Sequence, residues 1–283
     1  MKNIFITGIS TGIGYSATEH FLNLGYRVFG SVRKAEDQQR LEEVFGKRFP
    51  KQLVVLLFDV TNENQVLIAA ERTKTLLGDE SLTALVNNAG YAQGGPLALL
   101  PDQIFRQQIE VNLFGVRSVT NSLLPLLGAS KKFVGKPGKI INISSISGIF
   151  NTPMNGAYCV SKHALESLGE VYRRELSMYG IKVVSIQPGP IQSKLWDKNS
   201  HAFDQYMETD YSVMAQKSVT IFNDAQKNAI SASTIAELIE KIIDSRSPLH
   251  GYIVSKNKFI NTIVAKYTPS SIVDYFFQRY FSK

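Results

Sequence analysis

The chain has 283 residues, a hydrophobic fraction of 44%, a charged fraction of 19% and a net charge of +7. This composition is typical of a globular protein, and the length suffices for one large domain or two small ones. The basic balance fits a phosphate-bearing small molecule. Because the sequence has no Lys/Arg run of five residues and no zinc-finger or RNP-like pattern, nucleic-acid binding is not expected.

A single cysteine, Cys159, excludes an internal disulfide. The N-terminal sequence MKNIFITGIS reaches glycine and polar residues too early for a signal peptide, and no run of 18 apolar residues predicts a spanning helix. The four histidines are scattered without the spacing of metal ligands, so no metal site is expected. We therefore expect a soluble cytoplasmic protein.

Short apolar runs alternate with longer amphipathic segments along the first 190 residues. Strands are predicted at 3–7, 26–31, 53–58, 82–87, 139–145, 182–188 and 251–255, and helices at 12–24, 36–46, 62–77, 102–127 and 156–179. Several strand segments are apolar throughout, as expected of strands that are buried on both faces. The alternation predicts right-handed βαβ units and therefore an α/β fold with a doubly wound parallel sheet of about seven strands.

No repeat, low-complexity tract or linker divides the chain. We predict one catalytic domain over residues 1–255. Within it, a polar and aromatic insertion at 190–230 interrupts the alternation of strands and helices and is predicted to form a helical lid. The remaining residues, 256–283, are predicted to form an apolar helical tail.

The first predicted strand runs directly into TGISTGIG at 7–14, which opens a helix. Gly8 permits a tight turn, Gly12 lets the backbone approach a pyrophosphate, and Gly14 lets the helix pack close to the sheet. The N–H groups at the helix start then face the anion. This context predicts a dinucleotide-binding loop; the alternative is a tight turn without a ligand.

Tyr158 and Lys162 are four residues apart, which places them on one face of a helix near its start. A free phenol has a pKa near 10 and is a poor base at neutral pH. A fixed ammonium group favours the phenolate, so we expect Lys162 to lower the pKa of Tyr158 for proton transfer. The alternative is a solvated helix face that carries a stray aromatic residue.

Six motifs follow one another along residues 1–195. They are TGxxxGIG at 7–14, NNAG at 87–90, Asn112 within EVNLFG, NISS at 142–145, YxxxK at 158–162 and Pro188-Gly189. Their order and spacing resemble the short-chain dehydrogenase/reductase family. The stretches VFGSVRK and EVNLFG are similar to the branch that acts on steroids, retinoids and related lipophilic alcohols.

The resemblance implies four catalytic residues. Tyr158 would be the acid/base. Lys162 would lower its pKa, with a further contribution from the positive nicotinamide of the oxidised cofactor, and would bind the nicotinamide ribose. Ser145 would position and polarise the substrate oxygen, and Asn112 would hold a water that links Lys162 to solvent. Ser144 is the less favoured serine, because Ser145 lies 13 residues before Tyr158, which is the spacing expected from the family.

The resemblance also implies the nucleotide contacts. Val32 stands where NAD-dependent relatives carry Asp, and the next residue, Arg33, can grip a 2′-phosphate, so NADP is preferred and NAD stays possible. The alternative for Arg33 is a solvated loop charge. Asp59 matches a residue that contacts the adenine amino group, or it caps the helix at 62–77. The expected cofactor-binding residues are Gly8, Ser10, Thr11, Gly12, Ile13, Gly14, Arg33, Asp59, Val60, Asn88, Ala89, Gly90, Tyr158, Lys162, Pro188, Gly189, Ile191 and Ser193.

The implied function is hydride transfer between NADP(H) and a lipophilic secondary alcohol or ketone. Bulky apolar residues in the lid suit such a substrate, or else they pack the lid onto its own domain. They are Leu195, Trp196, Phe203, Tyr206, Met207, Tyr211, Met214 and Phe222. Two alternatives stay open: a 3-oxoacyl thioester reductase, and a non-catalytic NADP-binding sensor or scaffold.

The tail is unusually apolar for a chain terminus. Thr268-Pro269-Ser270 predicts a helix start, after which two apolar stripes run side by side. They are Ile272, Phe276 and Tyr280, and Val273, Phe277 and Phe281. Such a surface must be covered by the parent domain, by a second subunit or by a membrane surface. The family resemblance implies a homodimer or homotetramer.

Overall fold

The computed structural model describes residues 1–192, 202–256, 262–263 and 267–281. Seven parallel strands form one sheet in the order β3-β2-β1-β4-β5-β6-β7. The strands are β1 (Asn3–Ile6), β2 (Arg27–Val32), β3 (Leu53–Leu57), β4 (Ala84–Asn87), β5 (Lys139–Ile143), β6 (Lys182–Pro188) and β7 (Gly251–Val254). The predicted α/β fold with a doubly wound parallel sheet is confirmed.

Helices connect these strands and cover both faces of the sheet. They are α1 (Gly12–Asn23), α2 (Ala35–Gly46), α3 (Glu63–Leu77), α4 (Asp102–Ile109), α5 (Val116–Leu123), α6 (Gly156–Glu175), α7 (Ser212–Lys227), α8 (Ala232–Asp244) and α9 (Ser270–Phe281). Within the described ranges, no helix has both the length and the apolarity needed to cross a bilayer.

The two faces of the sheet carry separate apolar cores. Ile4 and Ile6 of β1 point to one face, where they belong to a cluster with residues of α1, α2 and α8. Phe5, between them, points to the other face and belongs to a cluster with residues of α3 and α5. Because successive side chains of a strand alternate between faces, burial on both sides requires continuous apolar sequences.

The helix predicted at 102–127 is not continuous. A π-helical segment, Glu110–Gly115, separates α4 from α5, and a short 3₁₀ segment, Leu124–Leu127, follows α5. A single widened turn of this kind changes the direction of the side chains that follow, and it occurs frequently at functional sites. The residue at its centre is Asn112, one of the predicted catalytic residues.

The tail helix α9 begins at Ser270, as the Thr-Pro-Ser sequence predicts. The Phe277 ring lies 6.1 Å from the Phe150 ring, centre to centre. Phe277 is half-buried, whereas its neighbour Phe276 is 64% exposed. One of the two predicted apolar stripes therefore faces the body of the protein, and the other faces outward.

Candidate active site

The glycine loop that follows β1 has the predicted backbone. Gly8 and Gly12 have φ values of +71° and +59°, a left-handed conformation that favours glycine. A methyl group on Gly14 would lie 2.2 Å from the Gly8 carbonyl oxygen and 2.6 Å from the side-chain nitrogen of Asn88. Gly14 is therefore required by the close approach of α1 to the loop.

The loops after β1 and β4 are held together by side chains. The Thr7 hydroxyl accepts hydrogen bonds of 2.9 Å from the backbone N–H groups of Asn88 and Ala89. In return, Asn88 Nδ2 donates to the carbonyl oxygens of Thr7 and Gly8, each at 2.9 Å. The carboxyl ends of β1 and β4 are therefore held in fixed positions, at the edge of the sheet where α/β folds bind ligands.

A cavity of about 370 Å³ lies at this edge of the sheet. Its lining includes sixteen of the eighteen predicted cofactor-binding residues: Gly8, Ser10, Thr11, Gly12, Ile13, Arg33, Asp59, Val60, Asn88, Ala89, Gly90, Tyr158, Lys162, Pro188, Gly189 and Ile191. Gly14 is missing from the lining because it packs behind the loop, against Gly8. Ser193, like Leu195 and Trp196 of the lid, lies outside the described residues.

The start of α1 suits an anionic group. Thr11, the residue before the helix, makes no side-chain cap hydrogen bond, so the first N–H groups of the helix are not capped by it. Gly12, the first residue of the helix, has no side chain that would block a close approach to these N–H groups. The loop thus fits the pyrophosphate of a dinucleotide.

Arg33 and Asp59 lie together at one end of the cavity, with Arg33 Nη1 4.0 Å from Asp59 Oδ2. The interpretation of Asp59 as the N-cap of α3 is wrong. The cap is Asn62, whose Oδ1 accepts a hydrogen bond from the Gln65 N–H, and Asp59 lies one turn too early. The Asp59 carboxylate instead accepts hydrogen bonds from the backbone N–H and the hydroxyl of Thr61.

Tyr158 and Lys162 line the same cavity. Lys162 Nζ is 5.7 Å from the centre of the Tyr158 ring and donates a hydrogen bond of 2.9 Å to the Ile143 carbonyl oxygen at the end of β5. Tyr158 also shares a hydrogen bond with Ser145. The phenol, the ammonium group and the serine hydroxyl are therefore brought to one side of the cavity.

Asn112 lies next to this group. Its amide oxygen accepts from the Tyr91 N–H, and its amide nitrogen donates to the Tyr91 carbonyl oxygen, both at 2.8 Å. A methyl group on Gly90 would lie 3.4 Å from Asn112 Oδ1 and 3.8 Å from Lys162 Nζ, so both side chains border Gly90. The π-helical turn places the Asn112 amide where it fixes the loop after β4.

A family model described as short chain dehydrogenase matches residues 2–203. The chain belongs to the short-chain dehydrogenase family. A curated relative, the NADPH-dependent 3-dehydrocapnine reductase of Ornithobacterium rhinotracheale, is 37% identical over 99% of this chain and 97% of its own length. The 17-beta-hydroxysteroid dehydrogenase type 2 of Homo sapiens is 31% identical over 100% of this chain and 74% of its own length. The solved structure of ElxO with NADP bound has a TM-score of 0.74 and 24% identity over 92% of this chain and 99% of that one.

Two serines, Ser144 and Ser145, follow β5, and their surroundings indicate which of them can contact a substrate. Ser145 caps the short helix Ile146–Gly148, accepting from the Ser147 N–H at 3.1 Å, and its hydroxyl also reaches Tyr158. Ser144 is buried, and its hydroxyl has no hydrogen-bond partner. The geometry thus favours Ser145, the serine that the family spacing implies.

In the chain without nucleotide, the pKa of Tyr158 is not lowered, and the lowered pKa expected with the oxidised nicotinamide bound stays a prediction. Burial raises the pKa of Tyr158 to about 12, although its hydrogen bond with Ser145 acts in the opposite direction. Burial also lowers the pKa of Lys162 to about 8, against the influence of the Glu166 carboxylate, which raises it. For both groups, the loss of contact with water is the largest cause of the shift.

Sequence reasoning missed several residues of the cavity. Tyr91 and Val111 line it, but each stands next to a motif rather than within one. Ser161 accepts a hydrogen bond of 2.9 Å from Asn112 Nδ2, which joins the π-helical turn to α6. Neither a serine beside the YxxxK lysine nor a tyrosine after NNAG carries a signal of its own in a single sequence.

Proposed function

We propose that this protein is an NADP(H)-dependent oxidoreductase that interconverts a lipophilic ketone and the corresponding secondary alcohol. The observation that carries the proposal is that Tyr158, Ser145 and Lys162 line the same cavity as the glycine loop. The relatives support the reaction type, since one is named as an NADPH-dependent reductase and another as a hydroxysteroid dehydrogenase.

When bound, the nicotinamide supplies or accepts the hydride, and the residues of the chain move the accompanying proton. In ketone reduction, the Tyr158 hydroxyl donates its proton to the substrate oxygen as this oxygen becomes an alkoxide. The Ser145 hydroxyl donates a hydrogen bond to the same oxygen and holds it beside the phenol. Both groups then stabilise negative charge that develops only during the reaction.

Lys162 and Asn112 complete the proposed proton path. The Lys162 ammonium is held by the Ile143 carbonyl, close to the Tyr158 ring, so it stabilises the phenolate after the proton has left. Asn112 is fixed by Tyr91 and lies across Gly90 from Lys162, where a water could bridge them. A new proton would reach Tyr158 from solvent by this route.

The proposed preference for NADP depends on Arg33. Its side chain is 62% exposed and lies at the end of the cavity beside Asp59, so it is accessible to a ligand phosphate. The position before it, Val32, carries no carboxylate that would bind a ribose 2′-hydroxyl and repel a phosphate. The guanidinium can bind the 2′-phosphate through two hydrogen bonds.

In the chain without nucleotide, the raised pKa of Tyr158 keeps the phenol protonated. With a pKa of about 12, the phenol carries its proton throughout the neutral range and is ready to act as an acid. Oxidation of an alcohol instead requires the phenolate, whose population increases with pH. The phenol therefore starts as the proton donor that ketone reduction needs, while the direction of net turnover follows the ratio of reduced to oxidised nucleotide.

The experiment that tests the proposal combines binding and turnover. Purified protein is titrated with NADPH and with NADH by nucleotide fluorescence, and a panel of steroid, retinoid and long-chain ketones is then assayed for NADPH oxidation, with acetoacetyl-coenzyme A included. Tighter binding of NADPH and turnover of lipophilic ketones are expected. Preference for the thioester would favour a 3-oxoacyl thioester reductase, and binding without any turnover would favour a nucleotide sensor.

A further inference from the structure

The outward face of the tail helix α9 is apolar and exposed. Residues three and four positions apart share one face of a helix. In α9 the outward face consists of Ile272, Tyr275, Phe276, Arg279 and Tyr280. Its apolar and aromatic members are between 43% and 64% exposed. A contiguous exposed apolar surface of this kind marks a site that binds another protein or a membrane.

Two basic side chains lie among the aromatic residues of this face. Arg279 Nη1 donates a hydrogen bond of 3.2 Å to the Tyr275 hydroxyl. Lys217 of α7 donates to the Tyr280 carbonyl oxygen, and its Nζ lies over the Tyr280 ring, 5.0 Å from the ring centre. Because these hydrogen-bond partners are uncharged, both cations keep their positive charge for an anionic ligand.

The charge of the whole tail has the same sign. Residues 256–283 contain five basic residues and one acidic residue. The acidic residue, Asp274, lines a cavity between α9 and the loop 149–156, on the inward side of the helix, so it does not belong to the outward face. The outward face is therefore an apolar surface with positive charge.

This combination fits a bilayer surface that carries anionic lipids. Positive side chains are attracted to the negative headgroups of such a surface. Tyrosine rings prefer the interfacial region, where the ring lies among acyl chains and the hydroxyl stays in contact with water. Ile272 and Phe276 add apolar area that gains free energy by entering the same region.

A second copy of the chain fits this face less well. A stable protein–protein interface takes roughly 20 to 30 residues from each partner, whereas the outward face has five. In a symmetric dimer the same surface lies on both sides of the contact, so each tail would meet a tail of the same positive charge. A lipid surface meets neither difficulty, because it is extended and negative.

We infer that the outward face of α9 docks this protein on the surface of bilayers that contain anionic lipids. The association is peripheral, because the 12 residues of α9 are too few to cross the hydrocarbon core, which takes about 20 helical residues. Ile272 and the aromatic rings of the face enter the interfacial region, and Arg279 and Lys217 contact the headgroups. The inference does not depend on the proposed reaction, because none of these residues lines the nucleotide cavity.

Two isoleucines at exposed helix positions give a matched pair of variants. Ile272 belongs to the outward face and is 46% exposed, whereas Ile68 of α3 is 69% exposed and lies outside the tail. Substitution of either residue by aspartate changes the net charge of the chain by the same amount. The full chain is sedimented with vesicles of phosphatidylcholine alone and with mixed vesicles that contain about one third phosphatidylserine, and the bound fraction is measured against lipid concentration.

The wild type should bind the mixed vesicles roughly tenfold or more tightly than the neutral ones, because the cations of the tail contact the negative headgroups. Ile272→Asp should lower the affinity for mixed vesicles by at least about tenfold, since it removes apolar area and adds a negative charge. Ile68→Asp should stay close to the wild type. Arg279→Gln should lose roughly fivefold in affinity for mixed vesicles and little for neutral ones.

The inference is overturned if the wild type binds neither kind of vesicle, if it binds both equally, or if Ile272→Asp and Ile68→Asp behave alike. Light scattering without lipid tests the second copy: a wild-type dimer that Ile272→Asp converts to a monomer, without vesicle binding, assigns the face to self-association and also overturns the inference. Thermal unfolding shows that each variant is folded, and Phe276→Ser tests the same face if Ile272→Asp is unstable.

Discussion

Lys162 Nζ lies 5.7 Å from the centre of the Tyr158 ring and is anchored there by the Ile143 carbonyl oxygen, 2.9 Å away. The two side chains are one helical turn apart, and the end of β5 fixes the position of the lysine. Burial disfavours both charges, so the free site holds a neutral phenol of pKa about 12 beside an amine of pKa about 8. The pair is arranged so that loss of the phenol proton restores a favourable interaction with the ammonium group.

The buried amine makes stability dependent on pH. The pKa of Lys162 is about 8 in the folded chain against an ordinary value of 10.5, so between these values the unfolded chain binds the additional proton. Stability from this group therefore increases as pH rises through this range, and below about pH 8 the fold bears the full cost of a buried charge. Lys162→Met removes this dependence.

Chemical unfolding of the wild type and Lys162→Met at about pH 7.5 and pH 9.5 measures the effect. The stability of the wild type relative to the variant should rise by about 2 kcal/mol between the two conditions. Taking the difference between the two proteins cancels other titrating groups, such as Tyr158. A difference that stays constant with pH would show that Lys162 has an ordinary pKa in the folded chain.

The close approach at Gly14 predicts that alanine substitutions at Gly14 and at Gly46 have opposite effects on stability. Gly14→Ala places a methyl group 2.2 Å from the Gly8 carbonyl oxygen, so the glycine loop must shift. Gly46, at the end of α2, has no atom within 4 Å of the same added methyl group. We expect Gly14→Ala to lower NADPH affinity by at least about tenfold and to destabilise the fold by roughly 1 to 3 kcal/mol, whereas Gly46→Ala should stabilise it by roughly 0.5 kcal/mol.

Calorimetric titration with NADPH and thermal unfolding of both variants provide the comparison. Equal affinity of Gly14→Ala and Gly46→Ala for NADPH would mean that the glycine loop does not hold the pyrophosphate.

The choice between nucleotides is tested at Arg33. Arg33→Ala removes a guanidinium from the cavity, so NADPH affinity should fall roughly tenfold or more while NADH affinity changes little. Lys34→Ala removes the same charge from the next residue, which does not line the cavity. Fluorescence titrations with both nucleotides measure the four affinities. A similar loss in both variants would indicate general attraction by the basic surface instead of a phosphate contact.

The two hydrogen bonds between Asn112 and Tyr91 predict that loss of the Asn112 amide lowers the free energy of unfolding. Asn112→Leu leaves the N–H and carbonyl groups of Tyr91 without their partners in a partly buried loop. The free energy of unfolding should fall by roughly 2 to 4 kcal/mol, and residual turnover should fall because the loop at Gly90 is released. Urea unfolding and ketone turnover measure the two effects. Unchanged stability would contradict a stabilising role for the hydrogen bonds of Asn112.

Much of the fold could be predicted because the apolar runs have a simple cause. Strands such as 139–145 and 182–188 are buried on both faces, and nothing in their sequence competes with that assignment. The glycine loop could also be predicted, because its backbone conformation and close contacts require glycine. The motif residues then meet at one edge because parallel strands all end there.

The π-helical turn at Asn112 could not be predicted in this way. The apolar spacing of 102–127 continues through it, and the widened turn depends on bonds to Tyr91 and Ser161, which are distant in the sequence. The raised pKa of Tyr158 in the chain without nucleotide could not be predicted either, because a helix position gives the neighbouring charge but not the loss of water. The contact between Phe150 and Phe277 depends on packing between remote segments.

One of the two alternatives that the lid sequence left open is seen in the structure. Phe203 and Tyr206 are buried in a small cluster with Met154 and Ala215, so they pack the lid onto its own domain. Tyr211 and Met214 are partly buried against the same cluster, and contact between the lid and a substrate stays a prediction. The expected homodimer or homotetramer, peripheral membrane contact through the tail, and cytoplasmic location stay predictions.

The proposed acid/base role of Tyr158 is tested most directly by Tyr158→Phe, with Tyr172→Phe as the control. Both residues belong to α6, but the Tyr172 hydroxyl donates to Asn121 Oδ1, away from the nucleotide cavity. Tyr158→Phe should bind NADPH as the wild type does and lose roughly 10²- to 10⁴-fold in kcat for ketone reduction, and Tyr172→Phe should keep its turnover. Full turnover by Tyr158→Phe would contradict the account.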